Sequence, residues 1–415
     1  MSNRRVVITG MGAVTVLGTG LRKFWDGLIA GRSGIRKITQ FDASALPCQI
    51  AGEVPDFNPE QFLERKEARR MARSSQMALA AAKMALEDAG ISLPVQEKER
   101  TGVSFGTSIG GLEKFDEGIT TLRTQGLARV NPFTIPLGLP NVPAFLISQQ
   151  FQCLGPNSTV ATACATGTQA VGDGFELIRH GRADVIVSGG TEALVRDFAL
   201  AGFCAMRALP VNFNDNPQAA SRPFSIDREG FVFSEGSGVL ILEELDHALA
   251  RDARIYAEVI GHASSCDGYS IASPDPEGAG AIRAMRWALA DAKTNPEEVD
   301  YINAHGTSTP LNDEGETKSI KQVFGNYAYK VAISSIKSMI GHALGASGAL
   351  EAIACALTIY ESIIPPTINY LNPDPLLDLD YVPNTARQQN VRVTLSNSFG
   401  LGGQNACLVL RKFEG

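Results

Sequence analysis

Short runs of apolar, largely β-branched residues recur along this 415-residue chain, and glycine or another small residue follows each run. Clear examples are residues 6–9, 102–105 and 184–188, while residues 77–87 and 172–182 carry apolar side chains at helical spacing. Buried strands that alternate with amphipathic helices are typical of a mostly parallel sheet with helices on both faces. The order of these segments therefore predicts an α/β fold.

The same plan recurs in the second half of the chain. Residues 300–307 repeat the strand-and-turn pattern of residues 102–107, and residues 331–335 lead into a further helix. No linker rich in Pro or Ser separates the two halves, so we expect them to share one packed body. We predict a duplicated α/β core whose halves are residues 1–250 and 251–415.

Composition excludes several classes of protein. Charged residues make up 20% of the chain and hydrophobic residues 44%, which is typical of a globular protein. The 44 acidic residues outnumber the 37 basic ones, which argues against nucleic acid as a partner. The seven cysteines are scattered and no C-x-x-C pair occurs, so we expect reduced thiols in the cytoplasm, without a disulfide framework or a structural zinc site.

One long segment, residues 130–172, contains no formally charged residue. Its length would suit a membrane span, but prolines interrupt it and several of its side chains are Asn or Gln. We therefore expect no membrane span, and expect the segment to be deeply buried or to form a subunit interface.

Gly10-Met11-Gly12 invites comparison with dinucleotide-binding loops. The third glycine of that motif is absent, because Thr15 stands at the expected position. We interpret this segment as a strand that enters a turn.

Cys164 is the strongest candidate nucleophile. It follows an apolar strand and precedes a helix that begins with small residues. A thiol at a helix N-terminus has its thiolate stabilised by the helix dipole and by free backbone N–H groups. A buried, space-filling cysteine is the alternative that this context alone leaves open.

Two of the five histidines, His305 and His342, lie in turns rich in Gly, Ser and Thr. Imidazoles in such turns can donate N–H groups to developing negative charge or move protons near neutral pH. Lys337 lies between an apolar strand and an apolar helix, where an unpaired ammonium group would be costly to bury. It could orient a histidine or a carboxylate, or it could be a plain surface lysine.

Together, and in this order, the motifs of the chain resemble the β-ketoacyl-acyl-carrier-protein (ACP) synthases of the thiolase-like superfamily, and they are nearest the synthase II type. The resemblance runs nearly end to end. The segments that carry it are Val6-Val7-Ile8-Thr9-Gly10-Met11-Gly12, Thr162-Ala163-Cys164-Ala165-Thr166-Gly167, Ser221-Arg222-Pro223-Phe224, Asn303-Ala304-His305-Gly306-Thr307-Ser308-Thr309, Lys337-Ser338-Met339-Ile340-Gly341-His342 and Asn397-Ser398-Phe399-Gly400.

The resemblance implies a thiolase-like fold with duplicated halves in a five-layer α-β-α-β-α arrangement. The first half would carry the nucleophilic Cys and the second half the two catalytic His. It implies an acyltransferase that performs the decarboxylative Claisen condensation of an acyl-enzyme with malonyl-ACP in fatty-acid elongation. Cys164 would hold the acyl group, His305 and His342 would stabilise the enolate, and Lys337 would hold the histidines in place.

Further roles follow from the same resemblance. The backbone N–H groups of Cys164 and Phe399 would form the oxyanion hole, and Phe399 would gate an acyl tunnel lined by Ile109. No cofactor beyond the substrates' phosphopantetheine arm is implied, except for a monovalent cation in some relatives. The positions that match its ligands are Asn303, Glu351, Ser396 and Asn397.

The implied partners are acyl-ACP and malonyl-ACP, which are acidic, and a second copy of the chain in a homodimer. Arg65, Arg69 and Arg73 fall on one helical stripe, which makes a basic docking surface the favoured interpretation over a solvated helix face. The residues expected to dock the carrier protein are Lys66, Arg69, Arg70 and Arg207.

Three positions depart from the synthase II pattern. Ser270 stands where that pattern has His, Leu401 replaces Phe in Gly-Phe-Gly-Gly, and Gln169 replaces a frequent His. These changes leave chain length and pathway open, so a specialised ketosynthase of a polyketide or polyene pathway is the alternative. A catalytically silent partner subunit is less favoured because the nucleophile and both histidines are present. A biosynthetic thiolase is disfavoured because Cys407 lies in an apolar strand.

Overall fold

The computed structural model describes residues 4–415, so residues 1–3 of the predicted first half lie outside it. The strands are β1 (Val6–Thr15), β2 (Gly18–Thr19), β3 (Arg36–Lys37), β4 (Ile50–Ala51), β5 (Thr101–Gly106), β6 (Asn157–Val160), β7 (Val185–Glu192), β8 (Gly236–Glu244), β9 (Ala257–Cys266), β10 (Tyr301–Asn303), β11 (Ala332–Ser334), β12 (Ile363–Ile364), β13 (Arg387–Gln388), β14 (Val393–Gly400) and β15 (Gln404–Arg411).

The α-helices vary from one turn to sixteen residues. They are α1 (Leu21–Ile29), α2 (Arg65–Ala68), α3 (Arg73–Asp88), α4 (Leu112–Gln125), α5 (Thr134–Gly138), α6 (Val142–Phe151), α7 (Thr166–Arg179), α8 (Asp197–Ala205), α9 (Leu245–Ala250), α10 (Ala279–Asp291), α11 (Pro310–Phe324), α12 (Lys337–Ile340) and α13 (Ser347–Glu361). Short 3₁₀ helices lie at Pro59–Gln61, Lys98–Arg100, Leu127–Arg129, Ala163–Ala165, Pro217–Ala219, Pro296–Glu298, Gly325–Tyr329 and Leu344–Ala346.

The large sheet has the strand order β11-β10-β14-β15-β9-β1-β8-β7-β5-β6, with β2 beside β1. Counted outward from the middle, β1-β8-β7-β5-β6 in one half corresponds to β9-β15-β14-β10-β11 in the other. In each half the two inner pairings are antiparallel and the two outer ones are parallel. The duplication predicted from the sequence is confirmed, but the expectation of a mostly parallel sheet was wrong. Strands β14 and β15 form a hairpin, whereas β1 with β8, β7 with β8, and β9 with β15 are antiparallel pairs of strands that lie far apart in the chain.

Helices separate the sheet into layers. Helix α3 packs on the outer face of β1, β7 and β8, while α10 packs on β9 and β15 and is covered by α11. Helices α7 and α13 contact each other and contact strands of both halves, so they form the middle layer. Their apolar side chains share one core with β1, β8 and β15. This is the predicted five-layer α-β-α-β-α arrangement.

The glycines of Gly10-Met11-Gly12 serve packing between layers. Strand β1 continues through them to Thr15, so the predicted turn at this point was wrong. A Cβ atom on Gly12 would lie 2.1 Å from the carbonyl oxygen of Ala81, and one on Gly10 would lie 2.3 Å from that of Ala85. These glycines let the backbone of α3 approach the sheet more closely than any side chain would allow.

The uncharged segment divides into a buried part and an exposed part. Its last residues lie in α7 and are buried, while the part around α5 and α6 exposes Phe133, Ile135 and Phe145, each more than half accessible in the single chain. One copy of the chain therefore does not bury the whole segment, and the alternative of a subunit interface stays a prediction. Across residues 4–415, no helix combines the length and the apolar character that crossing a bilayer requires.

Gly12→Ala should lower the thermal midpoint, because the new methyl group collides with the α3 backbone, and overpacking of this kind costs about 1–3 kcal/mol. Gly315→Ala is the matched control, since nothing lies within 4 Å of its Cβ position in α11. Alanine is preferred to glycine in a helix by roughly 0.5–1 kcal/mol, so this control should be slightly more stable. Melting curves followed by circular dichroism test both, and equal midpoints for the two variants would contradict the packing argument.

Candidate active site

Cys164 lies in a tight turn between β6 and α7. The preceding residue, Ala163, has φ of 49°, which is the left-handed region that non-glycine residues rarely occupy. The Thr166 hydroxyl donates to the Ala163 carbonyl at 2.7 Å and accepts from the Thr162 N–H at 2.8 Å. The Ser108 hydroxyl also donates to the Ala163 carbonyl, at 2.9 Å. These bonds hold a strained backbone that presents Cys164 at the start of α7.

The Cys164 thiol is buried, with 6% of the residue exposed. Burial raises the pKa of the thiol to about 11, while the backbone N–H of Leu401 and the charge of Lys337 act in the opposite direction. Its place beside a helix N-terminus suggested a stabilised thiolate, but loss of solvent has the larger effect. The free protein therefore holds Cys164 as a neutral thiol.

His305 follows β10 and is fixed through its own backbone. Its N–H and that of Gly306 each donate to the Glu316 carboxylate at 2.8 Å. On the side chain, Nδ1 lies 3.4 Å from Nζ of Lys337. An ammonium group can only donate, so Nδ1 must be the acceptor, and the imidazole proton must be on Nε2. His305 is therefore held as an N–H donor.

His342 lies beside His305, with the two ring centroids 5.4 Å apart and nearly perpendicular. Its Nδ1 is 2.9 Å from the Ser347 hydroxyl, and among the described residues its buried Nε2 has no hydrogen-bond partner. Burial, helped by the Lys337 charge, lowers the pKa of both imidazoles well below the ordinary value. Both rings are thus neutral and can act as hydrogen-bond donors without carrying charge.

The nucleophile and the two histidines converge on one point. The Cys164 sulfur and one ring nitrogen from each of His305 and His342 lie within 4.8 Å of one another, and all three residues are buried. Cys164 comes from the first half and the histidines from the second, so the site forms where the halves meet. A sulfur nucleophile facing two neutral N–H donors can hold an acyl group and stabilise a neighbouring oxyanion.

Lys337 is buried inside the site and is not a surface lysine. Its side chain and that of Glu351 are each 1% exposed, and the ammonium group forms an ion pair with this carboxylate. Glu351 also lies 3.4 Å from the Ser398 hydroxyl. A buried ion pair fixes geometry more than it stabilises the fold, and here it holds the Lys337 charge against His305.

Phe399, predicted for the oxyanion hole and the acyl pocket, lies in a strand, whereas Ile109, predicted for the acyl pocket, lies in a loop. Phe399 remains in β14, opposite Asn405, and its ring packs edge-on against His305 at 5.7 Å. The chain turns only after Gly400, so the backbone N–H that reaches the Cys164 thiol is that of Leu401. The role of Phe399 in the oxyanion hole stays a prediction, and the Leu401 N–H is a neighbouring candidate that the fold brings to the thiol. Ile109 lies in the loop after β5 and is 39% exposed.

The four positions matched to a cation are buried, and three of them already use a side-chain oxygen in a hydrogen bond or an ion pair. The Glu351 carboxylate pairs with Lys337, the Asn303 amide oxygen accepts from Tyr301, and the Asn397 oxygen accepts from Cys407. The buried atoms of these residues that lack partners within residues 4–415 are the Ser396 hydroxyl and the Asn303 NH₂, and an NH₂ donor would repel a cation. A monovalent cation at these residues stays a prediction.

The basic surface is confined to α2 and the residues that follow it. Lys66, Arg69 and Arg70 are exposed and line a surface concavity of about 580 Å³ together with Glu64 and Arg65. Arg207 is also exposed.

Arg73 does not belong to this surface, contrary to the predicted stripe. Its guanidinium group pairs with buried Glu235 at 2.7 and 2.9 Å, because the chain breaks between α2 and α3 instead of forming one helix.

Two buried carboxylates that the sequence analysis did not single out organise the site. Glu192, at the end of β7, accepts from the Ser108 N–H at 2.8 Å and from the Gly345 N–H at 3.2 Å, so it joins the loop of Ile109 to the loop after His342. Burial raises the pKa of Glu192 to about 6 and that of Glu316 to about 7. A carboxylate directly after an apolar strand was the available signal for Glu192.

Residues 3–248 match the family described as "Beta-ketoacyl synthase, N-terminal domain", and residues 256–371 match "Beta-ketoacyl synthase, C-terminal domain". Similar proteins include the 3-oxoacyl-(acyl-carrier-protein) synthase 2 of Synechocystis sp., which is 50% identical over 414 residues, 100% of this chain and 99% of the relative. The protein of that name from Staphylococcus aureus is 45% identical over 412 residues, 99% of each chain.

Solved structures of similar fold include the ishigamide ketosynthase/chain length factor, with a TM-score of 0.93, 38% identity, and coverage of 99% of this chain and 100% of that one. A second is a ketosynthase complex with a type II polyketide synthase acyl-carrier protein, with a TM-score of 0.91, 35% identity and the same coverage.

Alkylation of Cys164 by iodoacetamide should accelerate about tenfold per pH unit from neutral pH upward, because the thiolate is the reacting form and its fraction grows until pH approaches the pKa of about 11. Intact-mass kinetics measure the rate, and Cys164→Ser identifies the contribution of the other thiols. A rate that levels off below pH 9 would show that the thiol pKa is not raised.

Proposed function

This chain belongs to the beta-ketoacyl synthase family, and we infer that it catalyses the decarboxylative Claisen condensation of an acyl-enzyme with malonyl-ACP in fatty-acid chain elongation. The observation that carries the mechanism is the convergence of the Cys164 sulfur with two neutral imidazoles within 4.8 Å.

In the loading step, the Cys164 sulfur attacks the thioester carbonyl of acyl-ACP. A new carbon–sulfur bond forms, the bond to the phosphopantetheine sulfur breaks, and the thiol proton passes to that leaving group. The tetrahedral oxyanion lies against the backbone N–H groups of Cys164 and Leu401, both of which lower the pKa of the thiol. Because the free thiol is neutral, its proton must leave as attack proceeds.

In the second step, malonyl-ACP loses CO₂ beside the acyl-enzyme. The electron pair of the broken carbon–carbon bond remains on the substrate as an enolate. The Nε2–H groups of His305 and His342 donate to the enolate oxygen, and their neutrality suits them to donate without losing a proton. Lys337 holds the His305 proton on Nε2 and does not touch the reacting atoms.

In the third step, the enolate carbon attacks the acyl-enzyme carbonyl. A carbon–carbon bond forms, the bond to the Cys164 sulfur breaks, and the released thiolate takes a proton from solvent. The product is a β-ketoacyl-ACP two carbons longer than the loaded chain. Every step uses groups of the chain and of the substrates, so the proposal includes no resident cofactor.

Lys66, Arg69 and Arg70 support docking of the acidic carrier protein. They are exposed on one concave surface, where positive charges can attract an anionic partner over a distance. Arg207, also exposed, is proposed as a further contact.

The apolar surface around α5 and α6 supports a homodimer. Phe133, Ile135 and Phe145 are exposed within a segment free of charge, and β6 is the edge strand of the large sheet beside it. Exposed apolar surface next to an open sheet edge marks an interface in soluble proteins. The seven free cysteines support the cytoplasm as the compartment of the dimer.

Cys164→Ala should abolish covalent loading while leaving the fold intact. Intact-mass measurement after incubation with a series of acyl-ACPs should show an acyl adduct on the unmodified chain and none on the variant. Cys266→Ala, an exposed cysteine, is the control that should still load. Efficient loading of straight saturated chains would support fatty-acid elongation. Exclusive loading of short, aromatic or polyunsaturated chains would favour the specialised ketosynthase. Loading of the Cys164→Ala variant would contradict the mechanism.

Arg69→Glu with Arg70→Glu should raise KM for malonyl-ACP by about tenfold, because the charge reversal repels the carrier protein and slows encounter. The KM for a small pantetheine thioester should change little. Lys293→Glu with Lys412→Glu reverses the same number of exposed charges elsewhere and is the control. Equal effects on both substrates, or an equal effect of the control, would refute docking at this surface.

Phe133→Glu should produce monomers, because a carboxylate cannot be buried unpaired in an apolar interface. Sedimentation velocity measures the change. Leu311→Glu places a charge on another exposed apolar residue and should leave the dimer intact. A Phe133→Glu protein that sediments as the unmodified chain does would exclude this face as the interface.

A further inference from the structure

The active site has the donor set of a zinc site. The Cys164 sulfur and one nitrogen from each of His305 and His342 lie within 4.8 Å of one another. Zinc binds Cys at about 2.3 Å and His at about 2.0–2.1 Å, so tetrahedral ligand atoms lie about 3.3–3.6 Å apart, and these side chains would have to move closer by up to about 1.5 Å. Its members are far apart in sequence and meet only in the fold, so C-x-x-C spacing gives no sign of this set.

The surroundings of His342 are compatible with a metal. Its Nδ1 is 2.9 Å from the Ser347 hydroxyl, whose oxygen can accept a proton donated by Nδ1. This tautomer differs from the Nε2–H form that donates to the enolate, and the Ser347 hydroxyl can serve both because it can donate or accept. With the proton on Nδ1, the Nε2 lone pair is free to bind a metal, and metal-ligating histidines usually donate their second N–H to such an acceptor. His342 Nε2 is buried, and no other group within residues 4–415 occupies it.

The surroundings of His305, in contrast, oppose metal binding. Its Nδ1 faces the ammonium group of Lys337 at 3.4 Å, and that group is a donor only. Nδ1 must keep its lone pair toward Lys337, so Nε2 keeps the proton and cannot bind a metal. Moving the proton to Nδ1 would set two N–H donors against each other. The ammonium charge also repels a cation at short range.

Lys337 cannot easily swing away from this position. Its side chain is 1% exposed and is tied to the equally buried Glu351 carboxylate by an ion pair. Any movement would separate two buried charges, which is strongly unfavourable. The adverse contact to His305 is therefore a permanent part of the site.

We propose that Cys164, His305 and His342 form a latent zinc site, and that Lys337 suppresses its affinity and so protects the nucleophile from capture by Zn²⁺. When Lys337 is replaced by a neutral side chain, Zn²⁺ binds as the Cys164 thiol releases its proton to solvent and the His305 proton moves from Nε2 to Nδ1. A water molecule completes the four ligands.

The test uses the full chain and two replacements of Lys337. Lys337→Met removes the charge and the donor at similar length. The double variant Lys337→Met with Glu351→Gln also removes the carboxylate charge that the first change leaves unpaired. It can therefore be tested if the single variant fails to fold. Melting curves confirm folding. Zn²⁺ affinity is measured by competition with a chromophoric chelator, and Co²⁺ reports thiolate ligation through its charge-transfer absorbance.

We expect the folded variants to bind one Zn²⁺ about 10- to 100-fold more tightly than the unmodified chain, the range by which partners of metal-ligating histidines alter affinity. The Co²⁺ absorbance should appear in the variants and disappear when Cys164→Ser is added. Equal Zn²⁺ affinity in the unmodified chain would overturn the protective role of Lys337. Absence of thiolate-bound Co²⁺ in the double variant would overturn the latent site.

Discussion

The backbone-to-backbone contact of α7 and α13 is the constraint on which the site depends. A Cβ atom on Gly167 would lie 2.5 Å from the Ala349 nitrogen, and one on Gly348 would lie 2.1 Å from the Thr168 hydroxyl oxygen. Only glycine allows this approach, and it brings the first turns of the two helices together. Cys164 precedes the first turn of α7 and the His342 loop precedes the first turn of α13, so the two halves meet at the catalytic groups.

Buried carboxylates then hold the loops that carry the reactive groups. Glu316 binds the backbone of His305, Glu192 joins the loops on either side of Cys164, and Glu351 fixes Lys337. Burying a carboxylate is costly, and backbone N–H groups or an ammonium partner offset that cost only at the right geometry. Each carboxylate therefore contributes a defined loop position more than it contributes stability. The same desolvation keeps both imidazoles neutral, as hydrogen bonding to an enolate requires.

Much of the fold and part of the site could be predicted from the sequence. Apolar runs located the strands of both halves, and the turn contexts of Cys164, His305 and His342 singled out residues that the fold brings within 4.8 Å. The failures involved neighbours distant in sequence. Helical spacing placed Arg73 on the basic surface, but in the fold its guanidinium group forms an ion pair with the buried carboxylate of Glu235. The glycines of β1 suggested a turn, because the helix they accommodate lies about 70 residues further along.

By itself, the sequence determined the alternation of strands and helices, the duplication and the chemical types available for catalysis, because periodicity and functional groups are local properties. Only the tertiary structure decided that the Leu401 N–H reaches the thiol, that burial leaves Cys164 protonated, and that Lys337 keeps the His305 proton on Nε2. Protonation and hydrogen-bond direction depend on desolvation and on charged neighbours, and here those neighbours come from segments that meet only when the two halves pack around α7 and α13.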